Sequence, residues 1–153
     1  MKFLPFIICM TMFFNCFSQD DLNENGAKQI IQTFFEGFHK GDTLLMRSVM
    51  DRNMSLQTAF IAKDGSNVVS QSTGKDFLTA IANRPADQKW EEKLLSFKGF
   101  KDGNLGLAWT DYEFWLNGKF SHCGANCFTL VKTDNGWKIL NIIDSRRRQG
   151  CSQ

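Results

Sequence analysis

The chain has 153 residues, 42% hydrophobic, 13% aromatic and 22% charged, with a formal net charge of +2. That length suits one domain whose core folds without covalent staples. Near-neutral charge excludes a dedicated nucleic-acid binder, and fifteen Phe with four Trp exclude a disordered chain.

The first residues read as an address rather than as fold. Lys2 precedes an uncharged run from Phe3 to Phe14, followed by small residues at Cys16 and Ser18 and then Asp20-Asp21. A basic end, a short apolar stretch and small residues before a cut make a secretory signal peptide. A membrane span needs about 20 apolar residues, more than this run holds. The expectation is a signal peptide over 1–18, cleavage after Ser18, and an exported, periplasmic or secreted, single domain over 19–153. Lipid anchoring at Cys16 is the lesser option, because Phe13-Phe14-Asn15 lacks the small residues such a site prefers. Three cysteines remain after cleavage: Cys123, Cys127 and Cys151. Cys123 and Cys127 lie about 13 Å apart along one strand, too far to bridge each other. Cys151 paired with one of them is the plausible intrachain disulfide.

Ile30, Ile31, Phe34, Phe35 and Phe38 form the stripe of an amphipathic helix that Gly41 ends. Asp42 caps a second, short helix carrying Leu45, Met46 and Val49. Met54 to Ala62 reads as a strand. Ser72 or Thr73 caps a third helix with Phe77, Leu78 and Ile81, stopped by Pro85. Strands follow over Trp90 to Phe100, Leu105 to Leu116, Lys119 to Thr133 and Trp137 to Arg146. Asp102-Gly103, Asn117-Gly118 and Asn135-Gly136 turn the chain between them. Helices first and an antiparallel meander afterwards predict an α+β fold, with the helices on one face of the sheet.

Three motifs promise more than they hold. Asp21-Leu22-Asn23-Glu24-Asn25-Gly26 opens like a calcium loop, but Gln32 stands where the closing Glu belongs. Cys123 and Cys127 lack zinc-site spacing and partners, and His39 and His122 are the only histidines, so no metal or cofactor is expected. Arg146-Arg147-Arg148 reads as a solvated strand end, with capture of an anionic ligand group at a pocket mouth as its second reading. In a strand, Arg147 points away from its two neighbours.

The chemistry concentrates in the hairpin around Asn117-Gly118. A two-residue turn pairs Leu116 with Lys119, then Trp115 with Phe120, Glu113 with His122, Asp111 with Gly124, Trp109 with Asn126 and Leu107 with Phe128. Alternation puts these on one face, and Ala108, Thr110, Tyr112, Phe114, Ser121, Cys123, Ala125 and Cys127 on the other. Aromatic residues bracketing two carboxylates, an imidazole and an amide have the composition of a small-molecule pocket. Asp111 and Glu113, about 7 Å apart, with His122 opposite, are the candidate acid–base set. Trp109, Trp115, Asn126 and Phe128 are the candidate ligand contacts. A three-residue loop at Asp134-Asn135-Gly136 adds Asp144 opposite Asn126 and Arg146 opposite Gly124; a two-residue loop puts Asn141 and Ser145 there instead. A solvent-facing strand would also show Asp, Glu and His, and any slip of one residue would turn every partner over.

Phe34-Phe35-Glu36-Gly37-Phe38 with Gly41-Asp42 is the first of four stretches that carry a resemblance. The others are Gly106-Leu107-Ala108-Trp109 with Tyr112-Glu113-Phe114, Phe120-Ser121-His122-Cys123-Gly124, and Phe128 to Lys132 before Gly136-Trp137-Lys138-Ile139. Together they resemble the nuclear transport factor two-like superfamily, and within it the exported SnoaL-like or lumazine-binding bacterial proteins. The resemblance implies three helices under a strongly bent antiparallel sheet, a cone with a pocket at its open end, and frequent homodimers. It implies binding members as well as isomerases, cyclases and dehydratases that move protons next to a carbonyl. The leading expectation is an exported protein that binds a small apolar or aromatic ligand, without nucleic acid or a stable membrane span. One rival is an acid–base enzyme using Asp111, Glu113 and His122. The other is a dimeric cell-envelope interaction module that uses Thr110, Tyr112 and Phe114 on the outer face. Fold alone does not choose among them.

Overall fold

Helix α1 (Glu24–Lys40) begins where the Asn23 side chain accepts the Gly26 N–H at 2.8 Å, and it buries Ile31, Phe34, Phe35 and Phe38. The calcium-like segment therefore supplies a helix cap. Asp42 caps α2 (Thr43–Val49) by accepting from the Leu44 and Leu45 N–H groups. The chain then enters β1 (Met50–Ile61) and turns into β2 (Asn67–Thr73), a strand the sequence reading missed. Thr73 caps α3 (Gly74–Ala82) in a reciprocal box with Asp76. The expected strand from Trp90 to Phe100 is two pieces, β3 (Trp90–Leu94) and β4 (Lys98–Asp102). Both pair with β5 (Leu105–Leu116), and Leu95 to Phe97 bow out between them. Two long strands, β6 (Lys119–Thr133) and β7 (Gly136–Arg147), complete the sheet. The computed structural model describes residues 22–151; the expected signal peptide and Cys16 lie outside them.

The strand order is β2-β1-β7-β6-β5-β3, with β4 also on β5. Every pairing is antiparallel except one. β1 and β7 run parallel, joining Thr58 to Asp144 in register. The sheet is therefore mixed, which corrects the expected all-antiparallel sheet: β1 arrives from the helices pointing the same way as the last strand, and the intervening chain supplies the crossover. The α+β class stands. The helices lie on one face, and Phe34, Phe38, Met46, Leu78, Phe128, Leu130 and Ile139 meet in the core between the layers. No helix among the described residues is long and apolar enough to cross a membrane.

Two bulges set which residues face that core. The Asn117-Gly118 turn is the expected two-residue type, with φ of 51° and 73°, and Leu116 pairs with Lys119. Trp115 pairs with Phe120, but Phe114 pairs with His122, leaving Ser121 as an extra residue. Beyond it the register is one off the expected one: Tyr112 opposes Gly124, Thr110 opposes Asn126 and Ala108 opposes Phe128. At the next turn two residues, Asp134-Asn135, stand between the paired Thr133 and Gly136. Leu140 is then extra, so Asp144 still faces Asn126 and Arg146 faces Gly124. The pairs are those a three-residue loop would give, reached through a bulge instead.

Cys123 is disulfide-bonded to Cys151, with Cα atoms 5.9 Å apart, while Cys127 is free. The bond ties the end of the described chain back onto the outer side of β6. Cys151→Ser is expected to lower stability in urea by about 2–3 kcal/mol. Reductant should bring wild type down towards the variant and leave the variant unmoved; equal stabilities without reductant would show that the strap contributes nothing.

Candidate functional site

A cavity of about 430 Å³ opens between α1 and the concave side of the sheet. Phe34, Phe35 and Phe38 of α1, Phe77 of α3, Trp90 of β3, Phe114 of β5 and Ile142 of β7 form its apolar walls. Phe38 sits at the centre of this set, 6.1 Å from Phe77 in a parallel stack, 6.0 Å from Trp90 and 6.3 Å edge-on to Phe114. Arg84 braces the wall by donating to the Phe38 and His39 carbonyls at the end of α1, both at 3.1 Å, while covering the Trp90 ring.

Polar groups converge on this apolar shell from five strands, β1, β3, β5, β6 and β7. Glu92 of β3 accepts from Asn126 Nδ2 through Oε1 at 2.7 Å, and Asn126 also approaches Thr110 Oγ1 at 3.4 Å. Burial raises the Glu92 carboxyl to about 8; neighbouring Asp144 adds to the rise, while the Asn126 bond and Arg146 oppose it. At neutral pH the Glu92 carboxyl therefore favours its protonated form, and it lines the cavity with Oε1 alone held by a hydrogen bond. His39 holds the strand behind it: its Nε2 lies 2.9 Å from the Glu92 backbone nitrogen and 3.1 Å from the Glu92 carbonyl oxygen. Burial of that imidazole lowers its pKa and favours the neutral form.

Asp144 of β7 is the second acid. Thr58 Oγ1 donates to Oδ1, Tyr112 Oη donates to Oδ2 at 3.1 Å, and Arg146 Nε lies 3.7 Å from Oδ2. Burial first, then the Asp144 and Glu92 carboxyls, hold the Tyr112 phenol well above its usual range, so it remains a donor. His122 is stacked on Phe114 with centroids 4.8 Å apart, and its Nδ1 meets Ser121 Oγ at 3.0 Å. Burial, then the positive charges of Arg146 and Arg148, lower it to about 4 and leave it neutral. The cavity therefore presents a protonated carboxylic acid, a phenol, an amide and a neutral imidazole, beside one Asp–Arg pair.

Of the residues singled out from the sequence, His122, Asn126 and Asp144 line the cavity. Phe128 is fully buried in the core behind it, edge-on to Phe34 and Phe35. Trp109, Asp111, Glu113 and Trp115 are not in the cavity, because the Ser121 bulge turns β5 over relative to β6. Asp111 instead accepts from Ser96 Oγ at 2.6 Å, and Glu113 from Trp115 Nε1 at 3.1 Å, on the outer face. Lys93 stands over the Trp115 ring there. The same inversion brings Thr110, Tyr112 and Phe114, expected outside, into the interior. Tyr112 fits because its partner is glycine: a Cβ on Gly124 would lie 2.8 Å from the Tyr112 ring and collide with the Ser145 carbonyl.

Glu92 and Thr58 were missed. Glu92 shares a strand face with Trp90 and Leu94 by simple alternation, so its signal was present but hidden beside Glu91. The proton on Glu92 also makes stability depend on pH. It is held to about 8 in the fold against an ordinary 4.5, so unfolding releases it between those values and stability falls as pH rises through them. His122, depressed to about 4, acts oppositely: its contribution is present above 6.5 and is lost as pH falls. Glu92→Gln keeps the acceptor for Asn126 and cannot ionise. It is expected to exceed wild type by about 2 kcal/mol at pH 9, solvent in the cavity screening the rest, and to match it below pH 5 in denaturant titrations. A variant that tracks wild type across the whole range would contradict the assignment.

No known family profile matches the chain, and no curated protein sequence matches it. Solved structures do. A nuclear transport factor two-like superfamily protein from Salmonella enterica serovar Typhimurium superposes with a TM-score of 0.65 at 16% identity, over 84% of this chain and 93% of that one. A conserved protein from Planctomyces limnophilus gives 0.67 at 14% identity, over 81% and 95%. A nuclear transport factor two-like protein from Pseudomonas putida gives 0.63 at 14%, over 83% and 88%. Three helices beneath a curved seven-stranded sheet, matched over most of both chains, give this chain the nuclear transport factor two-like fold.

Proposed function

We propose that the chain is an exported small-molecule-binding protein whose ligand, small and partly apolar or aromatic, occupies the cavity beneath the sheet. One observation carries the reading: a cavity of about 430 Å³ walled by Phe, Trp and Ile, with the Glu92 carboxyl in its lining and burial favouring that carboxyl's proton. Apolar enclosure supplies affinity, and a few convergent polar atoms supply orientation. The disulfide supports export, since such bonds persist in oxidising compartments. A mature chain starting at Gln19 by intact mass, in the fraction outside the cytoplasm, is the expected result for processing after Ser18.

A second reading, acid–base catalysis next to a carbonyl, is favoured by a specific pairing. Glu92 carries a proton within the same cavity in which Asp144 is held by Tyr112 and Thr58. Two carboxyls in different electrostatic surroundings are suited to opposite roles in proton transfer. These two, with Tyr112, take the place of the Asp111, Glu113 and His122 set.

Native mass spectrometry of protein from its source should retain a bound small molecule. Titration of that molecule into Tyr112→Phe should weaken binding about tenfold, while Trp109→Ala on the outer face leaves it unchanged. The opposite ranking would return the site to the outer face. Turnover of a carbonyl substrate that Glu92→Gln abolishes while binding survives would select the enzyme.

A further inference from the structure

Strand β7 runs along the cavity wall from depth to opening, with Ile142, Asp144 and Arg146 on the inner side. Arg146 is the one lysine or arginine among the residues that line the cavity. It also lines the adjoining groove where β1 and β7 end, so it stands at the boundary between inside and outside. That groove carries Lys63, Arg147 and Arg148 and no carboxylate, over an apolar floor of Phe60 and Ile61. Arg146 is paired opposite Gly124, and its side chain is about half exposed while that of Asp144 is largely buried.

The guanidinium is only partly engaged. Its contact with Asp144 runs through Nε at 3.7 Å, and among the described residues it makes no other ion pair or hydrogen bond. The two terminal amino groups keep their donors, in the planar fork that matches a carboxylate. The depth of the cavity has the opposite character: Asp144 repels an anion, and the proton on Glu92 offers a donor suited to a neutral acceptor. Position thus sorts the chemistry, with apolar rings and an acid proton inside and a free cationic fork at the mouth. The charges of Arg146 and Arg148 are already felt at His122, which they help keep neutral.

Resting on the cavity reading above, we propose that the ligand is an organic acid, an aromatic or apolar body bearing one carboxylate, bound with the body among the Phe rings and the carboxylate on Arg146. The second reading of the arginine run, capture of an anion at a pocket mouth, then belongs to Arg146 with Arg148 adding to the field, while Arg147 points to the outer face.

The test uses two probes of one shape, cinnamate and cinnamamide, titrated calorimetrically into the whole protein at neutral pH and low salt. Cinnamate is expected to bind at least tenfold tighter than the amide, with the margin shrinking as salt is raised. Arg146→Gln should bring the two probes to equal affinity, and Lys93→Gln on the outer face should leave the preference intact. Equal binding of both probes to wild type overturns the organic-acid proposal and leaves the cavity reading standing, as does a preference that survives in Arg146→Gln. The first comparison needs no variant, so a folding defect in Arg146→Gln cannot mask the result. Failure of both probes to bind counts against the cavity reading itself.

Discussion

A side chain on a strand has two faces available, and inserting a single residue exchanges them for everything beyond it. Ser121 is that residue on β6. Without it, Tyr112 and Phe114 would lie outside, and the cavity wall would carry Trp109, Asp111, Glu113 and Trp115 in their place. With it, an aromatic phenol faces Gly124 and a stacked Phe–His pair closes the wall. The rest of the site follows from this choice, because Asn126 meets Thr110 and Glu92, and Tyr112 meets Asp144, on the face that the bulge turns inward.

The polar cluster that results is expensive to bury. A carboxyl that loses its hydration in such surroundings favours its neutral form, and burial shifts Glu92 in that direction. Asp144 has a different set of neighbours, with bonds from Thr58 and Tyr112 and the contact from Arg146. The two acids are thereby given different electrostatic surroundings by different neighbours, one answered by an amide and the other by hydroxyls and a cation. A core serving stability alone would gain by replacing such groups with apolar ones of similar volume. Their retention in an aromatic shell points to use.

Much of this was legible in the chain. The Ile/Phe stripe of α1, the caps at Asp42 and Thr73, and the Asn117-Gly118 turn each follow from local rules, and each formed as those rules require. His122 and Asn126 were readable as interior because both lie beyond the Ser121 bulge on β6, in step with Gly124 and the apolar Phe128. Their partners on β5 were not, since a bulge leaves no mark in residue type: Ser121 looks like any strand serine. Asp144 was reached through the right pair and the wrong turn, because Leu140 restored what the shorter turn removed. The parallel contact of β1 with β7 is a matter of tertiary placement, which neither strand's pattern encodes. Glu92 was hidden by its neighbour, because two adjacent glutamates suggest solvent even when one of them alternates with Trp90 and Leu94.

The parallel pairing has a kinetic side. Thr58 and Asp144 are 86 residues apart, yet their hydrogen bond is part of the candidate site. Hairpins such as β5–β6 can close early over short loops, whereas joining the first strand to the last must await nearly the whole sheet. The cavity is therefore complete only when folding is. A nascent or partly opened chain can hold its hairpins without holding a ligand, and ligand occupancy becomes a report on whether the two ends of the sheet have met.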